Sequence, residues 1–120
     1  MEGHGEIFYS WEDNIFILSS EGAFNTESID YYTPLIQESV SNRKVSSWKR
    51  LEVWDAEVLA SPETIEKCKL IWNWYEANGC VLTAIVLSNL LQTHVVHDIF
   101  HSHAKVFSDK DKALEWLRSN

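Results

Sequence analysis

A chain of 120 residues with 10 basic and 18 acidic side chains carries a formal charge of −8, which argues against a free-standing nucleic-acid binder because neutralising phosphates takes a basic face. At 45% hydrophobic and 23% charged, such a chain buries roughly two-thirds of its unfolded surface. Disordered and fibrous classes drop out, and residues 1–120 are expected to form a single domain.

The first 11 residues or so end in Glu6 to Trp11 (EIFYSW), and Asn14 to Ser20 (NIFILSS) follows after Glu12 and Asp13. Both segments are rich in aromatic and β-branched types, as two strands joined by a tight turn would be. Gly22 closes the hairpin, and Asn25 is placed to cap a helix, its side-chain oxygen accepting a free amide of the first turn. Ile29, Tyr32, Ile36 and Val40 recur at helical spacing and define its buried face. Pro34 lies inside that pattern, so a kink is expected there, or a restart capped by Thr33.

After the polar Ser41 to Ser47 comes Trp48 to Asp55 (WKRLEVWD), whose alternation argues for a strand. Trp48, Arg50, Glu52 and Trp54 form one set, and Lys49, Leu51, Val53 and Asp55 the other. Each set mixes apolar and charged members, so the pattern does not say which face is inside. Ser61-Pro62-Glu63-Thr64 opens a helix with a capping hydroxyl, a proline at the first position and an acid in the first turn; Asn78-Gly79 stops it.

Cys80 to Leu87 is apolar except for Thr83, the pattern of a strand covered on both faces in a parallel sheet. Val81, Ala84, Ile85, Val86 and Leu87 are therefore expected to be buried in it. The run is far shorter than the roughly 18 residues of a membrane span, so no integral membrane insertion is expected. The opening residues MEGHGEIF lack a basic segment followed by an apolar run, and no export signal is read there. A helix over about Asn89 to His101, a short strand Ala104 to Phe107, and a final helix capped by Ser108 with Asp111 in an S-x-x-D box complete the order. A hairpin entering alternating strand–helix units implies an α/β fold: a mixed, mainly parallel sheet with right-handed crossovers and packed helices.

The end of the chain, Ala104 to Leu117 (AKVFSDKDKALEWL), carries a strand finishing in Phe, a capped turn and a helix with Ala-Leu-x-Trp-Leu, and Gly22 stands at the helix entry after the hairpin. In these features and in element order the sequence resembles the SpoIIAA-like family, a branch of the STAS-type α/β fold related in architecture to anti-sigma-factor antagonists. The resemblance implies a regulatory role through protein partners. In the antagonists a serine in an Asp-Ser-Ser-Gly-like turn after the third strand is phosphorylated. The corresponding stretch here, Trp54 to Pro62 (WDAEVLASP), has no glycine and no Ser-Ser pair, leaving Ser61 as a loose positional equivalent.

Taken by chemistry, Ser61 is first a helix cap. Phosphate there would meet a favourable helix dipole but also Asp55, Glu57 and Glu63. His94, His97, His101 and His103 fall within ten positions, with Asp98 among them. On a helix at about 100° per residue, His94, His97 and His101 share an arc of about 60°, opposite Leu91, Val95 and Ile99. The expectation is an exposed, solvated or partner-facing stripe. Adventitious metal capture by His94, His97, Asp98 and His101 is the alternative, since the spacing is not HExxH and no cysteine joins it.

Cys68 lies on the Ile65, Cys68, Ile71, Trp72, Tyr75 face of its helix, and Cys80 starts a strand. With only two cysteines and no CxxC spacing, both read as buried thiols of a reducing, cytoplasmic compartment. No G-x-S-x-G elbow or glycine-rich phosphate loop is present, so no catalytic residue and no cofactor are expected. Of the six tryptophans, Trp54, Trp72 and Trp116 fit buried positions. Trp74 projects with Leu70, one turn earlier, away from Ile65 and Tyr75, and such an exposed pair marks a protein contact. The sequence thus reads as a non-catalytic binding module acting through a protein partner or a homodimer. The alternative is a carrier of a small apolar or lipid-like ligand.

Overall fold

The computed structural model describes residues 5–58, 61–97 and 104–120. Among these, the chain runs β1 (Glu6–Glu12), β2 (Ile15–Glu21), α1 (Thr26–Arg43), β3 (Trp48–Trp54), α2 (Pro62–Ala77), β4 (Cys80–Val86), α3 (Leu90–His97), β5 (Ala104–Phe107) and α4 (Lys110–Ser119). The sheet order is β1-β2-β3-β4-β5. β1 pairs antiparallel with β2, and every later neighbour is parallel. This is the mixed, mainly parallel sheet entered by a hairpin that the sequence implies.

Alternation along the strands divides the core. Phe16 and Leu18 of β2, Trp48 and Trp54 of β3 and Ile85 of β4 join Ile36 and Val40 of α1, Ile71, Trp72 and Tyr75 of α2, and Val96 of α3 in one cluster. Ile15, Leu51, Ala84 and Val86 point the other way and meet Ala113 and Leu117 of α4. Both faces of β3 are covered, which is why its sequence alternates without an apolar and a polar side.

Four local expectations are corrected. Helix α1 passes through Pro34 without a break; Thr33 does not restart it but turns its hydroxyl back onto the Ile29 carbonyl at 2.6 Å. Helix α4 is capped by Asp109, not Ser108, with the Asp111 and Lys112 amides donating to its carboxylate at 2.8 and 3.2 Å, because a full charge serves the positive helix end better than a hydroxyl. Val81 is 49% exposed. It is the extra residue of a register shift, since Cys80 faces Trp48 while Leu82 already faces Lys49, and a bulged residue escapes the ladder that buries its neighbours. Ala84, Ile85, Val86 and Leu87 are buried as expected. In α3 the buried residues are Gln92 and Val96, while Leu91 is 57% exposed. The buried face is turned from the one that periodicity suggests, because the Gln92 amide, not a leucine, is anchored inward.

The α2–β4 stop is fixed by Gly79 at φ 104°. A Cβ there would lie 2.5 Å from the Ser46 carbonyl oxygen, so only glycine fits where the chain turns under Trp48. Trp48 in turn donates its backbone amide to the Gly79 carbonyl and its indole N–H to the Asn78 carbonyl, at 2.9 and 2.8 Å.

Candidate functional site

Three loops leave the carboxyl ends of β2, β3 and β4, the edge where open α/β sheets place their binding residues. Two side chains knit them together. The Asp55 carboxylate, just after β3, accepts the Gly22 amide after β2 at 3.3 Å and the Glu57 amide at 2.9 Å. Gln92 of α3 is fully buried; its carbonyl oxygen accepts the Ser88 amide at 2.8 Å, and its amide nitrogen donates to the Asp55 and Val58 carbonyls at 2.5 and 3.1 Å. Ser88 Oγ donates to the Trp54 carbonyl at 2.8 Å, and Asn89 reaches the Ala56 carbonyl at 3.3 Å while receiving the Gln92 amide at 2.9 Å. Both polar atoms of the Gln92 side chain are therefore satisfied, and residues 54–58 are tied to the start of α3 by a connected hydrogen-bond network. Against this framework Leu90 and Leu91 stand out, 73% and 57% exposed.

Ser61 borders the same edge. Its hydroxyl accepts the Thr64 amide at 3.2 Å and contacts the buried Thr64 hydroxyl at 3.0 Å, and the residue itself is exposed. Ser61 is thus the cap of α2, with Pro62 in the first turn.

On the outer side of α2, Leu70 is 69% exposed. Trp74 differs from its expected outward position. It is half-buried, packs against the main core and meets Tyr75 edge-on with ring centroids 6.0 Å apart. His94 and His97 are both exposed on α3, whereas Asp98, His101 and His103 lie outside the described residues. Among the described residues no three His, Cys, Asp or Glu side chains gather as a metal site would require. Nor is any helix long and apolar enough to cross a membrane.

Beneath α1 and α2 lies a feature that the sequence reading missed. Arg50 and Glu52 of β3, 2% and 7% exposed, are buried together on the α1–α2 face. Arg50 Nε lies 3.0 Å from Glu52 Oε2, close enough for an ion pair but without the alignment of a hydrogen bond. The guanidinium lies over the rings of Trp72 and Tyr75, 4.4 and 4.2 Å from their centroids, and the Trp54 indole N–H donates to Glu52 Oε1 at 3.2 Å. The signal was present in the Trp-x-Arg-x-Glu-x-Trp alternation, where two charges share a face with two tryptophans.

Glu52 also forms part of the wall of a cavity of about 60 Å³ between α1, α2 and the sheet, lined mostly by apolar and aromatic side chains such as Leu18, Phe24, Ile36, Trp54 and Ile71, with Ser20, Thr33 and Thr64 among them. Cys68 borders it. Burial, with the Glu52 charge adding to it, pushes the Cys68 thiol up to about 12. Burial likewise raises Tyr75, again with Glu52 adding, and raises Cys80 against the opposing pull of Arg50. Both thiols are unpaired, and neither is activated as a nucleophile.

With the architecture established, comparison with solved structures gives it a class. The chain matches an uncharacterized protein of the DUF3478 family with a SpoIIAA-like fold from Shewanella loihica, with a TM-score of 0.67 and 21% identity over 96% of this chain and 94% of that one. It matches SpoIIAA of Bacillus in the phosphorylated form, with a TM-score of 0.64 and 9% identity over 94% of this chain and 100% of the other. An anti-sigma factor antagonist from Mycobacterium paratuberculosis follows at 0.61 and 8%, over 98% and 97%. No protein-family model and no curated protein sequence matches the chain. The fold is therefore STAS-type and SpoIIAA-like, as the sequence resemblance implied.

Proposed function

We propose that this chain is a non-catalytic regulatory module of the cytoplasm that works by associating with a protein partner or with a second copy of itself. The observation that carries the reading is the pair Leu90 and Leu91, left in water at the start of a helix that Gln92 and Asp55 lock rigidly in place. Exposed aliphatic side chains on a rigid platform forgo roughly 25 cal/mol for each square ångström left unburied, and pre-organisation lowers the entropic cost of docking. Leu70, exposed on α2 one turn before half-buried Trp74, is a second candidate contact. Two of the similar folds are named as an anti-sigma factor antagonist and as SpoIIAA in the phosphorylated form, which supports a role in partner binding and makes Ser61, exposed at the start of α2, the candidate position for a phosphate. The charge of −8 favours a partner with a basic rim.

Sedimentation across concentration tests self-association. Association weakened by Leu90→Ser with Leu91→Ser, at an unchanged melting temperature, supports the dimer; a strict monomer leaves the protein-partner form alone standing.

A second reading, carriage of a small apolar or lipid-like ligand, draws on the cavity. At about 60 Å³ that space holds on the order of half a dozen non-hydrogen atoms, so the reading narrows from a lipid to a compact molecule.

A further inference from the structure

Resting on that second reading, we propose that the cavity binds one compact, neutral organic molecule bearing a single hydrogen-bond donor, of the class of a monocyclic phenol or a short alcohol, with its donor directed to the Glu52 carboxylate. Three observations converge on this class.

The first is size. Close-packed interiors leave few voids larger than a water molecule, yet about 60 Å³ stays open here beside Phe24, Tyr32, Trp54, Trp72 and Tyr75. Those aromatic walls suit a ring, and Ser20, Thr33 and Thr64 are the hydroxyl-bearing members of the lining beside Glu52.

The second is the acceptor. A carboxylate has about four acceptor sites. The Trp54 indole takes one on Glu52 Oε1 at 3.2 Å, and Arg50 Nε approaches Oε2 at 3.0 Å. Glu52 is 7% exposed and supplies the carboxylate among the residues of the cavity wall, so its remaining capacity is the charged acceptor nearest to a donor placed there.

The third is charge. Arg50 balances Glu52, and its guanidinium is itself held over Trp72 and Tyr75. A cationic ligand would leave a surplus positive charge in an apolar space, and an anion would meet the carboxylate directly; either is costly in low dielectric. A neutral donor meets neither penalty. Access is available between the helices, where Ile29, Tyr32 and Thr33 of α1 and Cys68 of α2 line the cavity and are only half-buried.

The test is amide chemical-shift titration of the whole chain with three probes of similar size: phenol, toluene and anisole, of which phenol alone can donate. The expected result is saturable shifts confined to residues around the cavity, such as Leu18, Ile29 and Trp54, with phenol bound about tenfold more tightly than toluene or anisole, the worth of one hydrogen bond to a charged acceptor. Ile29→Phe, which fills the space, should abolish binding of all three. Glu52→Gln should remove most of the preference for phenol; because it also disturbs Arg50, the probe comparison in the unaltered chain stands as the independent measure. Equal binding of all three probes would overturn the donor assignment while leaving the small-ligand reading intact. No saturable shift around the cavity, or phenol binding that survives Ile29→Phe, would overturn both.

Discussion

The two faces of the sheet solve the same burial problem with different chemistry. On the α4 face, Ile15, Leu51, Ala84 and Val86 meet Ala113 and Leu117 in a small cluster whose buried members are all aliphatic, with Phe107 and Trp116 packed at its margin. On the α1–α2 face, large aromatics surround an ion pair and leave a cavity. A single strand, β3, feeds both: Leu51 is fully buried one way, while Arg50 and Glu52 are buried the other. The difference teaches where this domain has been shaped by something other than stability. A buried ion pair adds little or nothing over well-packed apolar residues, so the polar face is the one to interrogate for function.

The sharpest way to break the comparison is to unbalance the pair. Arg50→Met strands the Glu52 carboxylate and should lower unfolding free energy by about 3–5 kcal/mol, whereas Arg50→Met with Glu52→Leu should recover most of that loss. On the other face Leu51→Ala should cost about 2–5 kcal/mol, and no change at a charged position should compensate it. Denaturant unfolding of the four proteins measures all of these values; an Arg50→Met loss that the second substitution does not relieve would show that the pair itself stabilises the fold.

A smaller effect is expected at the loop edge. Ser61→Ala removes the α2 cap and should cost about 1 kcal/mol without disturbing either face, as thermal unfolding with unchanged near-ultraviolet circular dichroism would show.

The smallest effect near neutrality is electrostatic. The Cys68 thiol is raised from 9.0 to about 12 in the folded chain, so the folded state holds its proton more tightly than the unfolded state does. Its contribution is fully present below pH about 9 and is lost as pH rises from there towards 12. Tyr75 and Cys80 are raised in the same direction. Stability should therefore fall on the alkaline side, and Cys68→Ala should shallow that fall while changing little at pH 7; identical alkaline profiles for the two proteins would contradict it.

Much of the fold was legible because local signals agreed with the global order. The Asn25 and Ser61 caps, the Asn78-Gly79 stop and the apolar β4 run each name an element and one of its ends. Where reading failed, a tertiary contact overrode a local one. A bulge lifts Val81 out of the buried run. Gln92 turned α3 by its hydrogen bonds, exposing Leu91 where periodicity would bury it. The candidate site was less legible for the same reason: Asp55 and Gln92 are 37 positions apart, and no spacing rule joins an acid after a strand to an amide within a helix. Nor does sequence reveal a cavity, which is set by the shapes that meet rather than by any residue.

The central claim, association through the loop edge, is tested most directly by a photoreactive side chain placed at Leu91 and, as a control, at the exposed Lys112 of α4, in the cells that make the protein. The account predicts one discrete adduct from position 91, either a doubled chain or a single partner, absent from position 112 and suppressed by Leu90→Ser. No discrete adduct from position 91, or the same adducts from both positions, would contradict it.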